Sequence, residues 1–125
     1  MKRSDGITVL SVYHFLVAAL SVLGVCASLG VLLIFIFSQE WYQADAYVVL
    51  GLAAVLSFIV MIAHAAAGWA LFKMLEWGRW LSIALGVLSL LLFPVGTIIG
   101  GVTIWYLLQP AVRDSFLAPG IAEEE

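Results

Sequence analysis

Charged positions in this chain are confined to its two ends and a few short breaks between long apolar blocks, and the breaks mark out the elements. The first block, Ile7 to Phe37, contains no Asp, Glu, Lys or Arg. About 20 apolar residues cross a bilayer core at roughly 1.5 Å each, so this block spans with length to spare. The second block, Ala46 to Met74, follows the polar loop from Ser38 to Asp45, where Trp41 and Tyr42 read as interfacial anchors. A short basic turn with Lys73, Glu76, Trp77, Arg79 and Trp80 comes next. Leu81 to Leu108 is again uncharged, and as one straight helix it would measure about 42 Å against a hydrocarbon core of about 30 Å. The run Phe93-Pro94-Val95-Gly96-Thr97 interrupts it. Proline removes a backbone donor and disfavours helix in the preceding residue, and glycine permits a turn, so the block is either one kinked span or two helices hinged there.

Charge favours the hinge. With four spans, Lys2, Arg3, Lys73, Arg79 and Arg113 all fall on one side and the Glu40/Asp45 loop on the other, as the positive-inside bias requires; three spans strand Arg113 outside. The pattern therefore predicts helices at about 7–37, 46–74, 77–93 and 95–109, then a short interfacial helix at 110–117 and a tail at 118–125. In the short helix, Val112, Phe116 and Leu117 meet the membrane while Arg113 and Asp114 face water. The expected fold class is all-α: an integral membrane four-helix bundle, one transmembrane domain over 1–125, with both termini cytoplasmic.

Composition agrees with that class. Hydrophobic residues make up 65% of the 125 and charged residues 10%, too apolar for a soluble domain, whose apolar share is nearer 45–50%. The first block is too long for a removable signal, whose apolar core is about 7–15 residues. Multi-pass insertion in the inner (plasma) membrane is the expected location. The lipid bilayer and another membrane protein, or a second copy, are the expected partners, with no nucleic acid.

Lipid is as apolar as leucine, so helices in a membrane associate through small residues and occasional polar contacts. Ser11, His14, Ala18, Ser21, Val25 and Ser28 form one stripe of the first helix, and Ala54, Ser57, Met61, His64 and Gly68 one stripe of the second. Ser82, Gly86 and Ser89 do the same in the third, as do Gly96, Gly100 and Thr103 in the fourth. Ser21, Ser28, Ser57, Gly68, Gly86, Ser89, Gly96 and Gly100 are the expected helix-packing positions, and Trp41, Tyr42, Trp77, Trp80 and Trp105 the interfacial anchors.

Candidate chemistry is limited to His14 and His64. Both lie toward the cytoplasmic side in the four-span topology, about 10 and 14 Å along their helices, where they could ligate a haem b iron axially or hold a metal, with Lys73 or Arg79 near haem propionates. Structural histidines satisfied by neighbouring helices are the simpler reading, and zinc usually needs three or four protein ligands. The single Cys26 supports no thiol relay, the first, second and fourth helices carry no carboxylate for proton coupling, and no phosphate loop, nucleophile elbow or HExxH motif occurs. Two acids, Glu40 and Asp45, make a poor cation site. The expectation is a protein without a catalytic centre or cofactor. The alternatives are a bis-His electron carrier and a narrow transporter or channel lined by Ser21, Ser28, Ser57, Ser82, Ser89 and Thr103.

The run Gly78-Arg79-Trp80, FPVGT at Phe93 to Thr97, Gly100, Trp105 and Leu107-Leu108-Gln109-Pro110 with Val112-Arg113 resembles a pattern in small uncharacterised bacterial four-transmembrane-helix proteins. It covers about the last 40 residues, over the two-helix length discussed above. Gly101-Val102-Thr103 departs from the more usual Gly-Ile-Tyr-like stretch. The resemblance implies a tight helical hairpin at FPxGT and no particular activity, substrate or cofactor. A structural or accessory subunit, or a small homo-oligomer, is the expected role.

Overall fold

The computed structural model describes residues 5–38 and 44–117, and these are helical throughout apart from short turns. Trp41, Tyr42, Glu40, Lys2, Arg3 and the 118–125 tail lie outside the described residues. Five helices follow in order: α1 Asp5–Ser38, α2 Ala44–Phe72, α3 Glu76–Ser89, α4 Val95–Leu108 and α5 Pro110–Leu117.

Two helices are long and apolar enough to cross a membrane. α1 with 34 residues and α2 with 29 measure about 51 and 43 Å at 1.5 Å per residue. A third crossing is reached only if α4 and α5, bent by 63° at their junction, count as one span. The expected third helix at 77–93 is shorter at its end than its hydropathy implies: α3 stops at Ser89, and residues 90–94 turn the chain. α3 and α4, with 14 residues each, measure about 21 Å, less than the core thickness of about 30 Å. Block 81–108 is thus a hairpin.

Local contacts close that hairpin. The Thr97 hydroxyl donates to the Leu90 carbonyl at 2.9 Å, and the Leu92 amide to the Ser89 carbonyl at 2.9 Å. A Cβ at Gly96 would collide with that same Ser89 carbonyl, so only glycine lets α4 start here. Further along, Gly100 lies against the Gly86 carbonyl, which allows the two backbones to touch. The turn from α2 to α3 is also tight. Met74 takes the left-handed conformation at φ 56°, and the Leu75 amide reaches back to the Ala70 carbonyl at 2.9 Å, a helix stop usually given to glycine. Glu76, Trp77, Arg79 and Trp80 form the first turn of α3, which starts one residue before the expected 77.

One end of the bundle gathers the start of α1, the end of α2, the start of α3 and the end of α4. A Cβ at Gly6 would strike the Tyr106 hydroxyl, and one at Gly78 would strike Ala70. Ile7, Leu71, Leu107, Val112 and Phe116 form the hydrophobic core at this end, with Met74 packed against it. This corrects the expectation for α5: Val112 and Phe116 are buried in protein rather than laid on the membrane, while Arg113, Asp114 and Leu117 remain exposed.

The hairpin covers only half of the long pair. Its tip residue Leu92 stands beside Val17 and Val60, and the buried residues of α1 (Ile7, Ser11, His14 and Ala18) all lie in its first half. Beyond that level α1 and α2 pack on each other alone. Gly24 meets Ser57 there, and the Tyr47 hydroxyl ties α2 to the Phe35 carbonyl at 3.1 Å.

Candidate functional site

Where all four long elements overlap, their small and polar stripes meet. Tyr13 and His14 from α1, His64 from α2, Ser82, Gly86 and Ser89 from α3, and Gly100 and Thr103 from α4 surround one point. Helical spacing brings them there: Ser11, His14 and Ala18 share a face of α1, and His64 and Gly68 a face of α2. Gly68 admits α1 so closely that its position sees the Ser11 carbonyl at 3.2 Å and His14 Cβ at 3.3 Å. That close approach sets the two histidines face to face.

The His14 and His64 ring centroids are 5.1 Å apart, with planes inclined by 51°. His14 is 1% exposed and His64 7%. The two rings are held differently. His64 Nδ1 lies 3.0 Å from the Val60 carbonyl; a carbonyl can only accept, so Nδ1 carries the proton and Nε2 keeps a free lone pair. Both nitrogens of His14 are buried without a hydrogen-bond partner, as is the Ser82 hydroxyl. Each such orphan costs about 1–3 kcal/mol. Ser11, Ser21 and Ser89 avoid the cost by donating to carbonyls four residues earlier in their own helices, at 2.8–2.9 Å.

Two imidazoles bound to one metal ion, each at about 2 Å, stand with their centroids about 6 Å apart. Here the rings tilt onto one another at 5.1 Å. Among the described residues no three His, Cys, Asp or Glu side chains come together. The hydroxyls weighed as a pore lining divide between two places: Ser82, Ser89 and Thr103 stand with the histidines, whereas Ser57 packs against Gly24 in the two-helix half.

Of the expected packing positions, Gly68, Gly86 and Gly100 are buried, and Ser21, Ser28, Ser57, Ser89 and Gly96 are half-buried. Trp77, Trp80 and Trp105 are exposed, and the Trp69 ring lies tilted near Trp77 at 6.5 Å between centroids. Tyr13 was missed, because it follows no stripe of its own and joins the site through its neighbour His14. Arg79 is the larger surprise: only 4% exposed, it lies over the Trp80 ring at 4.7 Å and 3.7 Å from the Glu76 carboxylate, not in a solvated turn. No family model, curated protein or solved structure matches the chain.

Proposed function

We propose that this chain is a multi-pass protein of the inner membrane, a four-helix bundle with both termini cytoplasmic, which serves as an accessory subunit or small homo-oligomer without a catalytic centre of its own. A contrast among glycines carries the reading. Gly68, Gly78, Gly86, Gly96 and Gly100 each sit where a neighbouring element leaves little or no room for a Cβ, whereas Gly30, Gly51 and Gly101 meet nothing within 4 Å. A helical glycine that nothing requires costs about 1 kcal/mol relative to alanine. In a membrane, an open small-residue face is where a neighbouring helix approaches closely. Gly30 and Gly51 lie in the half of α1 and α2 that the hairpin leaves uncovered, so a helix from another chain is their natural neighbour.

Charge supports the orientation. Lys73 and Arg113 sit at the end where α1 begins and α4 finishes, Lys2 and Arg3 precede α1, Glu40 falls between α1 and α2 in the sequence, and Asp45 is in the first turn of α2. The positive-inside bias puts the basic end in the cytoplasm. The return of the chain through the α3–α4 hairpin to the basic end supports a shared side for both termini.

Cysteine cross-linking in native membranes tests the role. With Cys26 replaced by Ser, Gly30→Cys and Gly51→Cys are expected to trap a second copy or a partner on oxidation, while Leu23→Cys at an exposed non-glycine position traps far less. Monomer alone from both glycine positions would refute the reading.

A further inference from the structure

Beside the polar centre, a groove of about 200 Å³ runs between α1, α2 and α3. Val17, Val60, Leu88 and Leu92 make its walls, and Tyr13, His64 and Ser89 line both this groove and the polar centre. Leu88 and Leu92 are themselves largely exposed, so the groove opens toward lipid. No charged side chain lines either space, which calls for a neutral occupant. An apolar cavity of about 150 Å³ takes up benzene, so this one has room for a ring.

Hydrogen-bonding capacity narrows the class. His64 has its Nδ1 proton on Val60 and retains Nε2 as an acceptor. Ser89 donates to the Leu85 carbonyl and keeps its lone pairs. Tyr13 brings a hydroxyl, which can donate or accept, to the same lining. The polar end of the groove therefore presents acceptors beside one hydroxyl, the complement of a hydroxyl on the ligand. Behind it lie three of the four orphaned buried atoms found among the described residues, the two His14 nitrogens and Ser82 Oγ, so hydrogen-bonding capacity here exceeds what the protein supplies.

We propose that this groove binds the hydroxyl-bearing ring of a neutral molecule dissolved in the membrane, a phenol or hydroquinone. The ring lies between Val17, Val60 and Leu88, its O–H donates to His64 Nε2 or Ser89 Oγ, and its tail leaves past Leu92 into lipid. The inference stands apart from the accessory role, since it rests on the groove and not on the open glycines.

The test uses the full chain in lipid nanodiscs, with histidine nitrogen NMR as readout and para-hexylphenol and para-hexylanisole as probes. They share ring and tail and differ in the donor. The phenol is expected to shift the His64 ring signals and to bind about ten-fold more tightly than the anisole, the effect of one hydrogen bond to an acceptor otherwise left unpaired. Equal affinities would overturn the assignment. Val17→Trp fills the groove and should abolish binding, and retained binding would place the ligand elsewhere. A hydroquinone with an isoprenoid tail should bind more tightly than its tail-less form, and equal binding would rule out a membrane-dissolved ligand.

Discussion

Gly100 and Gly101 are neighbours on α4 and should respond to the same substitution with opposite sign. A Cβ at Gly100 would overlap the Gly86 carbonyl oxygen and also meet Leu90 Cδ2 at 3.3 Å; the first is backbone and cannot rotate away. α3 and α4 must therefore part, and overpacking of this kind costs about 1–3 kcal/mol. At Gly101 the added methyl meets nothing within 4 Å, and replacing a helical glycine gains up to about 1 kcal/mol. The two alanine variants should differ by about 1–4 kcal/mol. Gly86→Ala belongs between them, because its nearest obstacle is the movable Ile104 side chain at 3.1 Å. Equilibrium unfolding in mixed micelles with increasing SDS, followed by tryptophan emission, reads the difference. If Gly100→Ala unfolds at the same SDS fraction as Gly101→Ala, the backbone contact that closes the hairpin is wrong.

The polar centre and the basic end give two further expectations. His14→Leu removes two buried unpartnered nitrogens and should leave the protein as stable as before or more stable by about 1–3 kcal/mol, whereas a loss of that size would mean His14 has a structural partner. Phe116→Ala empties a site that is 4% exposed in the α5 core and should cost about 3 kcal/mol, while Leu117→Ala, at 39% exposure, should change little; comparable effects in the same unfolding assay would deny α5 its place under the bundle.

α1 and α2 were legible in the sequence within a few residues, because an uncharged run of that length has few alternatives in a bilayer. The end of α3 was not. Leu90-Leu91-Leu92-Phe93 is as apolar as the helix before it, so no polar break marks the turn. What ends the helix is tertiary: Gly96 pressing on the Ser89 carbonyl, and Thr97 reaching back to Leu90. The burial of Arg79 was not legible either: its charge suggested a solvated position at the start of the helix, whereas Trp80 and Glu76 lie against it.

For the candidate site, periodicity placed His14 and His64 on the small-residue faces of their helices, and that much follows from 3.6 residues per turn. Whether the two faces look at one another depends on register and crossing, which Gly68 sets by admitting Ser11 and His14. No local pattern in α1 announces that contact. Depth along the bundle then decides which polar residues are enclosed. Ser82 and Thr103 are buried because α3 and α4 are present at their level, while Ser21, Ser28 and Ser57 remain half-buried along the part of the molecule where only two helices pack. Two helices cannot enclose a side chain on all sides. The sharp turn at Leu90–Pro94 therefore does more than shorten α3: by stopping the hairpin beside Val17 and Val60, it confines the enclosed polar site to one half of the molecule and leaves an apolar groove at that site's edge.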